Sequence, residues 1–222
     1  MSPFFVILPN ATSQQNSLTT KPIMPIQRPL LLETIKIKEG VICNLPYHQK
    51  RMNYSRTHLF QTSSTIDLAS KITIPSQKGI FRCRILYAQT IESIPYTPYT
   101  PKHINTLHIV SSNIEYHHKY ANREVLDSLL SLSPQADDII IEKDGLLTDT
   151  TIANIAFFAK GKWYTPKKPL LEGTMRAKLL DKGMLHLRDI AKKNMEDYTH
   201  VALINAMVGF KVLNQMTIKQ IK

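Results

Sequence analysis

With only two cysteines, Cys43 and Cys83, in 222 residues, the chain has no disulfide framework to build on, and a reducing cytoplasm is the expected setting. No stretch approaches the roughly 18–20 consecutive apolar residues that span a bilayer. The opening Pro3-Phe4-Phe5-Val6-Ile7-Leu8-Pro9 is apolar but short and has no basic leader, so neither a membrane anchor nor a secretory signal is expected. No internal repeat is visible. Carboxylates are scarce: 17 against 28 Lys and Arg leave a formal charge of +11. That sign would admit nucleic acid, yet the basic residues are scattered, with no arginine-rich block and no aromatic–basic signature of an RNA-binding sheet. A basic enzyme acting on a phosphorylated cofactor and anionic small molecules accounts for the charge. The expected partner is therefore a small molecule, with no nucleic acid and no membrane.

What is present is ordinary globular material, 43% hydrophobic and 20% charged, of a length that suits one or two compact lobes. Residues 1–29 are rich in Pro, Ser, Thr and Gln, hold no carboxylate and follow neither helical nor strand periodicity, so they read as a disordered extension. Leu32 to Lys38 alternates like a strand and ends in a Glu39-Gly40 turn. Pro46 suits the first turn of a helix running toward Phe60. A second strand over Gly79–Tyr87 sets Phe81, Cys83, Ile85 and Tyr87 on one face. Three prolines in Pro95–Pro101 exclude a helix there. Further on, strands are expected at 107–110, 138–142, 152–159, 162–165 and 201–206. Helices are expected at Asn122–Leu132, with Val125, Leu126, Leu129 and Leu130 sharing a face, and at Thr174–Asp181, stopped by Gly183. This mixture predicts an α+β protein in two lobes: a smaller one over 30–112 and a second over 113–222.

Singly, the polar landmarks say little. Lys119 sits in Tyr116-His117-His118-Lys119-Tyr120, where a lysine is ordinarily just solvated. The neighbouring histidines point different ways and have no third ligand at metal spacing, so no metal site is expected. Order and spacing say more. Lys119-Tyr120-Ala121-Asn122-Arg123 is followed by Asp138 and the apolar Ile139-Ile140-Ile141, then by Thr148-Asp149, with Asn154 five residues beyond the aspartate. Next come Leu171-Glu172-Gly173-Thr174-Met175-Arg176 and Ile204-Asn205-Ala206. Upstream stand Leu32-Glu33-Thr34 and His48-x-x-Arg51.

This series, over residues 30–213, resembles the class-IV aminotransferases, the fold-type-IV pyridoxal-phosphate enzymes, which include amino-acid transaminases and 4-amino-4-deoxychorismate lyase. The resemblance implies a two-lobed D-amino-acid-aminotransferase-like fold, pyridoxal 5'-phosphate (PLP) as cofactor, and a homodimer. It matches Lys119 to the catalytic lysine that holds the cofactor as a Schiff base and shuttles protons. Asp149 takes the place of the ring-nitrogen carboxylate, usually a glutamate in the family. Its other reading is a turn aspartate before a strand. Arg51 matches the phosphate arginine, able to form a forked pair. Gly173, permitting close approach, and the N–H groups of Thr174 and Met175 match a phosphate-binding helix start; alternatively Gly173 merely begins the helix. Asn205 and Ala206 match the last phosphate loop, while Asn154 is expected to tie strands together. Transaminases of the family often carry Arg-Gly after the strand that here ends Ile85-Leu86-Tyr87-Ala88, and this chain lacks it. Lys119-x-x-Asn122-Arg123, Gly173-x-Met175-Arg176 and Asn205-Ala206 lean toward the lyase. An amino-acid transaminase and a cofactor-binding relative without catalysis remain the alternatives.

Overall fold

The computed structural model describes residues 28–213; the extension expected at residues 1–29 lies outside them save for Arg28 and Pro29. The first sheet holds β1 (Leu31–Lys38), β2 (Val41–Ile42), β3 (Ile80–Tyr87), β4 (Ile91–Ser93) and β5 (Tyr96–Pro98), in the order β2-β1-β3-β4 with β5 also on β3. Strands β1 and β3 run antiparallel over their full length, Leu31 opposite Tyr87 and Lys38 opposite Ile80. The turn expected at Glu39-Gly40 is there, with φ of 48° and 79°, values that glycine takes at little cost.

Alternation gives this sheet two different faces. Leu31, Ile35 and Ile37 of β1 and Phe81, Cys83, Ile85 and Tyr87 of β3 form a core with Met52 and Phe60 of α1 (Leu45–Phe60), joined by Leu68 of the short helix α2 (Leu68–Lys71). The other face presents Leu32, Thr34, Arg82 and Arg84 to a cavity.

The second sheet contains β6 (Leu107–Ser111), β7 (Asp138–Lys143), β8 (Leu146–Thr150), β9 (Asn154–Ala159), β10 (Lys162–Pro166), β11 (His186–Arg188), β12 (His200–Asn205) and β13 (Gly209–Val212). The path β11-β10-β9-β8-β7-β6 carries β12 on β9 and β13 on β12. Strands β6 and β7 are parallel, which requires a crossover; residues 112–137 supply it, including α3 (Glu124–Ser131). Because β6 belongs to this second sheet, a division at residue 112 cuts through paired strands. Helix α4 (Thr174–Asp181) follows β10 and ends at Gly183, whose φ is 67°.

Several expectations need correction. Helix α3 buries Leu126 and half-buries Leu129 and Leu130, but Val125 is 59% exposed, since it lies about 100° around the helix from Leu126. Strand β9 starts at Asn154, not Ile152. Strand β8 carries Asp149 and is not expected from the sequence, because Leu-Leu-Thr-Asp-Thr lacks the alternation of a strand read alone. Among the described residues no helix is long and apolar enough to cross a membrane.

Candidate active site

Main-chain pairing brings Lys119 to the first sheet. The N–H of Leu32 donates to the Lys119 carbonyl at 2.8 Å, Ala121 N–H donates to the Leu30 carbonyl at 2.8 Å, and Tyr120 bridges Leu31. The crossover of the second sheet is thus stitched to β1 of the first, and the lysine side chain enters a cavity of about 440 Å³, a size that suits a small organic ligand. Arg51, Lys119, Asp149, Gly173, Thr174, Asn205 and Ala206 all line it. Met175 does not: its side chain packs against the cluster of Ala156, Leu179, Leu185 and Ile204. Only its N–H, in the first turn of α4, remains available for the expected contact.

Electrostatics favour a reactive amine. Desolvation, then the guanidinium of Arg51, lower the Lys119 ammonium to about 8; Arg123 and Arg84 add to this while Glu33 opposes it. A larger share of neutral amine is therefore available near neutral pH than an ordinary lysine offers.

Asp149 faces the same cavity from β8 and is paired with Asn154 across the sheet. Its Oδ1 accepts from Asn154 Nδ2 at 2.7 Å and its Oδ2 from Leu171 N–H at 2.9 Å. Burial pushes the carboxyl up to about 7, against the lowering effect of those two hydrogen bonds and of Arg176. It is therefore no turn aspartate. A buried carboxyl held by two donors, with lone pairs remaining, suits a cationic N–H, which would favour its charged form.

The side of the cavity lined by Arg51 and Thr174 is built on Glu33, fully buried in β1. Arg51 donates from Nε to Oε1 at 2.8 Å and from Nη2 to Oε2 at 2.6 Å. The fork expected to grip a phosphate is thus engaged by Glu33, and Nη1, in a long 3.4 Å contact with the Glu172 carbonyl, is the edge left over. His48 Nδ1 lies 2.6 Å from the same Oε2, and its Nε2 lies 3.3 Å from Thr174 Oγ1. Burial alone would raise the Glu33 carboxyl, but the charge of Arg51 and hydrogen bonds from His48 and Arg51 bring it to about 2. Burial lowers His48 despite Glu33, so the ring is neutral, donates Nδ1–H to Glu33 and accepts the Thr174 hydroxyl at Nε2.

Gly173 precedes α4 with φ of −71°, so backbone freedom is not the reason for glycine. A Cβ there would lie 1.8 Å from the amide oxygen of Asn154. That amide cannot easily swing away, because its Nδ2 also donates to the Leu171 carbonyl at 2.8 Å. Asn154 does tie strands together, and it also orients Asp149. The Asn205 side chain is engaged by its own loop, accepting from Met207 and Val208 N–H at 2.9 Å each and donating to the Ile152 carbonyl at 3.2 Å; it shapes the loop that brings Ala206 to the cavity. The residues present fit PLP: an amine with a lowered pKa, a buried carboxyl with spare lone pairs, and a helix start beside a guanidinium edge.

Sequence reasoning passed over Glu33, His48, Arg82 and Arg84 as site residues. The first two were visible only as parts of a pattern. The two arginines lie in the same alternation that reveals the β3 core face, on its opposite side.

Two outcomes are expected. Gly173→Ala should destabilise the fold by about 1–3 kcal/mol by overpacking, and Asn154→Ala in the same chain should recover part of that loss. Urea unfolding of both single variants and the double variant checks it; strictly additive losses would mean that the two residues do not collide. The second concerns Asp149 in the cofactor-free protein. Folding holds its proton to about 7, whereas the unfolded chain releases it near 4, so Asp149 stabilises fully below about 4 and that contribution is lost at about 1.4 kcal/mol per pH unit up to about 7. Asp149→Asn should flatten that part of the stability–pH curve, measured by urea unfolding from pH 4 to 8. Parallel curves for the two proteins would show the carboxyl already ionised.

Known proteins match this arrangement over most of the chain. The sequence signature of class IV amino-transferases covers residues 30–212. A solved structure from Haemophilus somnus, provisionally named a 4-amino-4-deoxychorismate lyase, is 35% identical with a TM-score of 0.76, covering 82% of this chain and 98% of that one. A Schizosaccharomyces pombe protein provisionally named aminodeoxychorismate lyase is 31% identical over 200 residues, 79% of this chain and 85% of the relative. A Haemophilus influenzae protein described as uncharacterized is 36% identical over 184 residues, 81% of this chain and 98% of that one. The chain belongs to the class IV aminotransferase family, a family of PLP-dependent enzymes with the fold-type-IV architecture.

Proposed function

We propose that this chain is a PLP-dependent lyase that takes 4-amino-4-deoxychorismate to pyruvate and 4-aminobenzoate, the latter for folate biosynthesis. The observation that carries the catalytic part is Lys119: an amine lowered to about 8, anchored by main-chain pairing, in a cavity that also holds the carboxyl of Asp149. In this reading Asp149 holds the ring N–H of the cofactor, and the leftover edge of Arg51 with the first-turn N–H groups of Thr174 and Met175 holds its phosphate, beside the Ala206 loop. PLP, once bound, supplies a sink for the electron pair left when a proton is removed from the substrate. Lys119 would take the proton from the amine-bearing carbon, and enolpyruvate would leave the neighbouring ring carbon and take up a proton to become pyruvate.

Two observations favour elimination over transamination. The relatives from Haemophilus somnus and Schizosaccharomyces pombe bear provisional lyase names. The Arg-Gly pair that many transaminases carry after this strand is missing, and Gln89-Thr90-Ile91-Glu92 follow Ala88 here. Both reactions begin with the same proton removal, so a positioned leaving group decides between them. We further propose a cytoplasmic homodimer, on the strength of the family resemblance and of cysteines that remain free.

The test is product formation by purified protein loaded with PLP. With 4-amino-4-deoxychorismate, pyruvate and 4-aminobenzoate should appear in equal amounts, and Lys119→Ala should lower the rate by on the order of 10³-fold or more. Rapid conversion of the cofactor to its amine form by a common L- or D-amino acid, with no 4-aminobenzoate released, would make the chain a transaminase. Neither reaction, with PLP bound, would leave a cofactor-binding relative without catalysis.

A further inference from the structure

The cavity carries more positive charge than the proposed cofactor explains. Among the described residues its lining includes the cations Arg51, Arg82, Arg84, Lys102, Lys119 and Arg123 against the single carboxyl of Asp149. Arg51 is paired with Glu33, Lys119 has its own chemistry, and Lys102 Nζ donates to the Asp137 carbonyl at 2.6 Å. Three guanidinium groups remain. Arg84 takes part in none of the ion pairs formed among the described residues. Arg82 makes one long contact, Nε to Thr97 Oγ1 at 3.4 Å. Arg123 donates to the Thr151 carbonyl at 3.0 Å and lies 3.7 Å from Asp127, an exposed pairing that contributes little.

These arginines come from two different elements. Arg82 and Arg84 share the cavity face of β3, where Arg84 lies across from Thr34 of β1. Arg123 stands at the start of α3, four residues after Lys119. Holding several guanidinium groups together without carboxylates costs repulsion, and planar guanidinium groups recover it best by forked bonds to carboxylates. The Arg-Gly element used by many transaminases is missing, so a grip on a substrate carboxylate must be built elsewhere.

We propose that Arg84, with Arg82 beside it, and Arg123 form two separate carboxylate grips, making the cavity selective for an amine substrate that bears two carboxylates over one that bears a single carboxylate. The inference rests on the reading of Lys119 as the reacting amine. It assigns specificity to β3 and the start of α3, whose arginines line the same cavity as Lys119.

Unreactive probes separate this inference from the lyase reaction. Benzene-1,3-dicarboxylate and benzoate are titrated calorimetrically into the PLP-loaded protein. The dicarboxylate should bind at least tenfold more tightly, and more weakly as salt is raised. Arg84→Met and Arg123→Met should each remove most of that preference while leaving the amount of PLP bound per chain unchanged; Arg84→Lys should retain part of it, and Arg84→Gln serves if the methionine variant fails to fold. Equal affinities for the two probes, or a preference that survives both substitutions, would overturn the proposal. Release of 4-aminobenzoate without this selectivity would refute the grips but not the lyase. Selectivity without 4-aminobenzoate would uphold the grips and refute the lyase.

Discussion

One buried carboxylate organises the wall of the cavity that Arg51 and Thr174 share. Glu33 sits in β1 with no exposure and accepts from both Arg51 and His48 of α1. Burying a charge is costly, and here three hydrogen bonds from two partners offset the cost. The consequence travels further than the pair. His48 is fixed in the tautomer that offers Nε2 to Thr174, the first residue of α4. A residue of the first sheet thereby sets the position of a helix that packs on the second. Without Glu33, Arg51 would lose its forked partner and His48 the acceptor of its Nδ1–H.

A second constraint fixes the amine. Lys119 lies in the crossover that parallel pairing of β6 and β7 demands, yet its main chain pairs with β1. A side chain on a loop is thus held by two sheets, which is how a loop can present a reacting group with little freedom. The surroundings then divide the titrations: an amine lowered to about 8 and a carboxyl raised to about 7 share one cavity. Such opposite displacements in one cavity are what a functional site tends to hold. They arise here mainly from desolvation, with the arginines reinforcing the effect on the lysine.

Much of this was legible in the residue order. Strand β3 announces itself by strict alternation and β1 by alternation from Thr34 onward, and Pro46 and Gly183 mark helix ends with a steric reason. The α+β class and the company of Arg51, Lys119, Asp149, Gly173 and Thr174 in one cavity follow the expected pattern. What stayed hidden depends on tertiary pairing. Strand β8 is defined by its neighbours β7 and β9 rather than by its own five residues. Strand β5 includes Pro98, which reads as a breaker until an edge position on β3 admits it. The reason for Gly173 lies at Asn154, nineteen positions earlier, a collision that spacing along the chain cannot reveal. Arg51 is expected from the sequence to meet an anionic ligand, and its fork in this structure meets Glu33, whose burial no local pattern declares.

Whether Lys119 carries the cofactor is tested directly by chemical mapping. Protein loaded with PLP is reduced with borohydride, digested and sequenced by mass spectrometry. The account predicts that the cofactor-bearing peptide contains Lys119 and that Lys119→Ala yields no modified peptide under the same conditions. Label on Lys102 or any other lysine, or label that persists in Lys119→Ala, would contradict it.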